Sequence, residues 1–177
     1  MSVTKMFFAG SGGQGVLLMG QMITYAAMNS DKEVTFLPSY GPEMRGGTAN
    51  CTVVVSDDKP VSCPIISEAD AIVVMNLPSL IKFEPLVKPG GKLFINSSIV
   101  DREPTRTDIE VIKVPANEIA IELGNARAAN IVMLGAFRRA TNVVSAEAID
   151  YMLRKTFSGR KASLLDLNLK AIDAFKN

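Results

Sequence analysis

The feature that most restricts the fold is a switch of pattern within the first thirty residues. Residues 5–10 are a short apolar run that ends on a glycine cluster, Gly10-Ser11-Gly12-Gly13-Gln14-Gly15. Val16–Met28 then carries Leu17, Leu18, Met19, Met22, Ile23 and Ala26 in a helical stretch. A strand that passes through a glycine turn straight into a helix is the opening of a doubly wound sheet. The rest of the chain continues in that style. Strands are predicted over 33–37, 50–55, 69–75, 92–96 and 109–114, and the composition of 69–75 predicts burial on both faces. Helices are predicted over 78–86, with Pro78 at its start, and then over 116–123, 128–141, 146–157 with Ser145 as N-cap, and 162–175. The expected fold is α/β: one three-layer, Rossmann-like domain over residues 1–177, with a mostly parallel or mixed sheet and a helical C-terminal part.

Composition narrows the function. Apolar residues make up 47% of the chain and charged residues 21%, the reverse of the balance that keeps a chain disordered. With 19 basic and 18 acidic residues the net charge is +1, and no basic patch marks a nucleic-acid partner. No stretch reaches the roughly 20 apolar residues needed to cross a bilayer, and no signal peptide is evident. A cytoplasmic protein is expected, with Cys51 and Cys63 as free thiols. Histidine is absent, which removes the commonest general base and metal ligand. Two cysteines are too few for an iron–sulfur cluster, which takes about four thiolates.

Gly12, Gly13, Gln14 and Gly15 stand between a strand and a helix, where backbone N–H groups and the helix dipole can face an anion. The dinucleotide fingerprint also needs an acidic residue at the end of the second strand. That strand ends in Leu37-Pro38-Ser39, which has none. A Walker ending is missing too. The loop is therefore either an anion site or a tight turn that lets the helix pack close to the sheet. A second loop follows, Ser39-Tyr40-Gly41-Pro42-Glu43-Met44-Arg45-Gly46-Gly47. Arg45 offers a planar fork for a phosphate or carboxylate, Gly46 and Gly47 allow close backbone approach, and Tyr40 adds a ring and a hydroxyl. The plainer alternative is that Arg45 ties the loop to Glu43.

Taken together, the two loops resemble the gamma subunit of the pyruvate and 2-oxoglutarate:ferredoxin oxidoreductases, with the second loop nearer the 2-oxoglutarate type. The order of elements agrees over nearly the whole chain, including Asn50-Cys51-Thr52-Val53 and Ala69-Asp70-Ala71. The resemblance implies a complex that decarboxylates a 2-oxoacid oxidatively, forms acyl-coenzyme A and reduces ferredoxin. It also implies alpha and beta partners with thiamine diphosphate and its magnesium ion between them. Iron–sulfur clusters would lie in beta or in a ferredoxin-like delta subunit. This chain has neither the Gly-Asp-Gly motif for that magnesium nor the cysteines for a cluster, so it is expected to bind none of these cofactors alone and to be inert in isolation. Gly12, Gly13, Gln14, Gly15, Tyr40, Arg45, Gly46 and Gly47 become the candidate residues for coenzyme A or a partner subunit. The rival readings are a stand-alone Rossmann-like nucleotide-binding protein and a purely structural scaffold.

Other residues have plainer expected roles. Cys51 begins an apolar strand and reads as core, and Asp70 as a cap or turn at a strand start. Helix 16–28 and residues 131–137 lack a polar outer stripe. They are expected to be covered either by the C-terminal helices or by another subunit, the chain itself included. By contrast, Ile149, Met152, Leu153 and Phe157 form a one-sided stripe whose helix can stay at the surface.

Overall fold

Among the described residues, six strands and six helices follow the order the sequence predicts. They are β1 (Val3–Ser11), α1 (Val16–Met28), β2 (Glu33–Tyr40), β3 (Thr48–Ser56), β4 (Ala69–Val74), α2 (Leu77–Phe83), β5 (Val87–Asn96), β6 (Glu110–Val114), α3 (Ala116–Glu122), α4 (Ala129–Thr141), α5 (Ala146–Thr156) and α6 (Leu165–Ala174). The structure is a computed structural model that describes residues 3–40, 47–57, 60 and 65–176, with only the backbone of Tyr40. Met44, Arg45, Gly46 and Cys63 lie outside the described residues.

The sheet order is β2-β3-β1-β4-β5-β6. Strands β1, β4, β5 and β6 run parallel. Strand β3 is antiparallel to both β1 and β2, so β2 runs with β1 and the sheet is mixed. After α1 crosses over, the chain makes a hairpin and inserts β3 between β1 and β2.

Among the boundaries that differ from the sequence reading, four have an identifiable physical reason. Strand β2 continues past Leu37 to Tyr40. Its Pro38 is tolerated because β2 is an edge strand, where a missing N–H leaves no ladder bond unmade. The predicted helix 78–86 stops at Phe83 and ends in a 3-10 turn, Glu84–Leu86; Pro85 lacks the N–H that would continue the α-helical ladder. Strand β5 starts at Val87, and its register shifts between Ala69↔Val87 and Ala71↔Lys92. Pro89 and Gly90 sit in that irregularity, with Gly90 at φ +74° and its N–H donating to the Asp108 carbonyl at 2.8 Å. Helix α6 begins only at Leu165, after a 3-10 turn, Gly159–Leu164.

Alternation along the strands feeds two cores. Met6 and Phe8 of β1, with Ala71 and Val73 of β4, face α1, α3, α4, α5 and α6. Phe7 and Ala9, with Ile72 and Val74, face α2, so β4 is buried on both faces. Phe137 of α4 packs on Phe8 and Phe94 with ring centroids 5.1 and 5.3 Å away. Each fully buried side chain of this kind contributes roughly 1.5–3 kcal/mol. Residues 131–137 of α4 are all buried in the protein's own fold. A Cβ on Gly135 would fall 1.9 Å from the Ile172 carbonyl oxygen, so α4 and α6 meet backbone to backbone. Helix α1 packs against β2, β3 and α5, and only Gln21, Tyr25 and Met28 along it are exposed. Intramolecular helices therefore supply the cover the sequence left open. On α5, Ser145 caps the start by accepting from the Ala148 N–H at 3.1 Å, and Ile149, Met152 and Leu153 point inward. Asp70 accepts from the Lys5 N–H at 2.7 Å and pairs with Lys88, tying the start of β4 to β1. No helix among the described residues is long and apolar enough to cross a membrane.

Candidate functional site

The chain leaves β1 for one side of the sheet and returns through β4 on the other, so the carboxyl ends of β1 and β4 form the topological switch point. Open α/β sheets take their ligands at that point. The glycine loop lies here, with Gly13 at φ +92° and Gly15 at φ +74°, values that L side chains rarely adopt. Gly15 is also needed for space, since a Cβ there would lie 2.3 Å from Asn130 Nδ2.

Counting the loop's donors separates those that hold the fold from those left over. The Ser11 N–H donates to Gln14 Oε1 at 2.8 Å, and the Ser11 hydroxyl pairs with the same oxygen at 3.0 Å. Gln14 Nε2 donates to the Met75 carbonyl at 3.0 Å, and the Gln14 N–H to the Ser11 carbonyl at 3.2 Å. The Gly12 N–H donates to the Gly47 carbonyl at 3.1 Å. That bond joins the two loops. The N–H groups of Gly13, Gly15, Val16, Leu17 and Leu18 have no partner among the described residues. The α1 N-terminus carries no side-chain cap and no acidic residue in its first turn.

Strand pairing explains why the loops meet. Ser11 sits opposite Thr48, and Tyr40 opposite Ala49, so the β2–β3 hairpin opens at the same end of the sheet as the glycine loop. Tyr40 is the last residue of β2, and Gly47 immediately precedes β3.

Beside the glycine loop is a cleft of about 190 Å³ lined by Gly13, Gln14, Met75, Ile99, Asn117, Ala126, Arg127, Ala129 and Asn130. Its lining holds one cation, three carboxamides and no carboxylate. The exposed Arg127 guanidinium has no ion pair among the described residues. Asn130 is buried, and its Nδ2 reaches toward the Gly15 carbonyl at 3.5 Å. Asn117 Oδ1 accepts from Asn96 Nδ2 at 2.8 Å, while the buried Asn96 Oδ1 has no partner among the described residues. Helix α4 also starts here, again with no side-chain cap and no acidic residue in its first turn.

Arg127, Asn130, Asn117 and Asn96 were missed in the sequence. A usable signal was present in the run from Asn125 to Asn130, where two asparagines and an arginine stand at the start of an apolar helix. It reads as a helix start, and part of it is one: Asn125 caps a 3-10 turn.

Among the described residues no three His, Cys, Asp or Glu side chains converge to hold a metal. Cys51 is a core residue. Burial pushes its thiol up to about 12, which leaves no useful thiolate near neutral pH.

The sheet, the joined loops and the switch-point cleft define an open α/β protein of the Rossmann-like class with an uncapped, cation-rimmed pocket. Residues 5–175 match the family described as pyruvate ferredoxin/flavodoxin oxidoreductase, and the chain belongs to that family. It is 40% identical over 167 residues to the ketoisovalerate oxidoreductase subunit VorA of Methanothermobacter marburgensis, covering 94% of this chain and 34% of that one. The chain thus spans about a third of the length of that relative. It superposes on the gamma subunit of a keto/oxoacid ferredoxin oxidoreductase from Geobacter sulfurreducens with a TM-score of 0.81 and 30% identity, over 97% of this chain and 95% of that one. A 2-oxoglutarate:ferredoxin oxidoreductase from Magnetococcus marinus, solved with 2-oxoglutarate, coenzyme A and succinyl-CoA bound, matches with a TM-score of 0.89 and 25% identity over 98% of this chain and 30% of that one.

Proposed function

We propose that this chain is the gamma subunit of a 2-oxoacid:ferredoxin oxidoreductase, a single gamma-type domain working in the cytoplasm with alpha and beta subunits. The observation that carries the reading is the end-to-end likeness to a solved gamma subunit, covering 97% of this chain and 95% of the other. Thiamine diphosphate, held by the partners, supplies the decarboxylation chemistry. The iron–sulfur clusters of beta or delta pass electrons to ferredoxin. This chain binds and orients the acyl acceptor, coenzyme A. A phosphate-bearing acceptor suits a cleft with one arginine, no carboxylate and free N–H groups at the start of α1. Tyr40, Arg45, Gly46 and Gly47 of the second loop remain the further candidates for contact with coenzyme A or a partner subunit. The 2-oxoacid is drawn from 2-oxoglutarate, pyruvate and ketoisovalerate, the last added by the VorA likeness. A stand-alone nucleotide-binding role fits less well, because the last residues of β2, Leu37-Pro38-Ser39-Tyr40, include no carboxylate to hold a ribose.

The test is co-expression with alpha and beta chains, followed by assay of coenzyme A-dependent 2-oxoacid oxidation. The isolated chain is expected to be colourless and inert, and the assembled complex active. Arg127→Ala and Arg45→Ala are each expected to leave the fold intact and to raise KM for coenzyme A by about one to two powers of ten, the worth of a charge-assisted hydrogen bond. Turnover by the isolated chain would overturn the cofactor-free assignment. Unchanged kinetics in both variants would return these residues to the bare surface.

A further inference from the structure

We propose that Gln14 is a positioning residue that closes the crevice between β1 and β4 and turns the anion site outward, toward Arg127 and Asn130. The inference rests on the coenzyme A reading above and gives that site a direction. The crevice between β1 and β4 is where an open sheet of this kind admits its ligand, and here a side chain of the protein lies across it. Gln14 Oε1 takes the Ser11 N–H and hydroxyl on the β1 side, while Nε2 is bonded to the Met75 carbonyl at the end of β4.

The seat for this carboxamide is built into the fold. A Cβ at Gly10 would stand 2.7 Å from Gln14 Oε1, so only glycine at position 10 leaves room for it. The bridge has two consequences. The Ser11 N–H, the donor deepest in the crevice, is closed to any ligand. The donors left without partners among the described residues are those of Gly13, Gly15, Val16, Leu17 and Leu18, and of these residues Gly13 lines the cleft together with Arg127 and Asn130. A phosphate is therefore held beside α4 and not across the sheet, as a dinucleotide would be.

The amide chemistry is required at both ends of the bridge. A carboxylate at position 14 could still accept from Ser11, but it would lose the donor to Met75 and place a negative charge beside the anion. A methyl group at that position would leave the crevice open.

Gln14→Ala and Gln14→Glu, each in the co-expressed complex, separate positioning from simple bracing. Gln14→Ala is expected to raise KM for coenzyme A about tenfold, the scale of the hydrogen bonds lost, with kcat and the 2-oxoacid KM unchanged. Gln14→Glu is expected to raise it by about a hundredfold, because a like charge is brought against the phosphate. The inference is overturned if both variants lose kcat without a change in KM for coenzyme A, if KM for both substrates rises equally, or if neither variant assembles with its partners. Each of these results marks Gln14 as a structural tie. A wild-type complex that turns over without coenzyme A overturns the reading of the site itself, and this inference with it.

Discussion

The glycines of α1 and α4 and Gly13 of the β1–α1 loop are the same residue put to opposite uses. Gly20 and Gly135 sit inside helices and let other groups come close: a Cβ on Gly20 would lie 2.4 Å from Cys51 Sγ, and one on Gly135 would lie 1.9 Å from a backbone oxygen of α6. Gly13 has nothing within 4 Å of its would-be Cβ and holds φ +92°. The helical pair gives up a side chain so that the interior can close. The loop glycine does so to keep its backbone turned toward solvent. Substitution is therefore expected to cost stability at the first kind of site and binding at the second.

The largest effect is expected at Gly135. The clash of Gly135→Ala is with backbone, which cannot rotate away, so α6 must move as a unit. A loss of about 3 kcal/mol is expected, at the upper end for overpacking, lowering Tm by about 6–12 °C for a chain of this size. A variant that melts with the parent would show that α6 is not seated on α4.

Gly20→Ala is expected to cost less, about 1–3 kcal/mol, because the atom it meets belongs to a side chain. Cys51→Ala added to it is expected to recover part of the loss, and a double-mutant cycle reads that coupling directly. The Cys51 thiol supplies a second readout. Its folded pKa of about 12 lies above the ordinary value, so folding favours the neutral thiol. The contribution is intact below the unfolded pKa, near 8.5, and is lost as pH rises toward 12. Alkylation of Cys51 in the native chain at pH 8, read by peptide mass mapping so that Cys63 is scored separately, is accordingly expected to be negligible, and rapid labelling of Cys51 would place it outside the core.

Gly13→Ala is expected to change stability least, by about 1 kcal/mol for a left-handed position, while raising KM for coenzyme A in the assembled complex. If its Tm fell as far as that of Gly135→Ala, the contrast between the two kinds of glycine would collapse.

Most of the architecture was legible because period and punctuation agreed. Val16–Met28 was bounded correctly at both ends by Gly15 and by the end of its apolar run, and Ser145 was recognised as the cap of α5. The errors fall where tertiary position overrides local preference. Pro38 stops a strand in the interior of a sheet but not at its edge, and the sequence alone does not say that β2 lies at the edge. The glycine loop was equally visible, yet its partners Arg127 and Asn130 come from more than a hundred residues away, brought in by the packing of α4 on the sheet. Nothing local to either segment announces the other.

The insertion of β3 between β1 and β2 sets the order in which the molecule can be built. Among the described residues strand β2 has β3 as its one sheet neighbour, so residues 1–40 by themselves cannot settle into a β1-α1-β2 unit. They must wait for residue 56 before the sheet can form around β1. Helix α1 waits longer for its outer cover, because α5 is not complete until Thr156. Until then Met22, Ile23 and Ala26 lie on a helix whose outer side is open to water. Nascent chains with apolar surface exposed in this way are prone to aggregate. A chain truncated ahead of α5 is thus expected to need a chaperone to remain in solution, whereas residues 1–177 are expected to refold without one once these segments are present together.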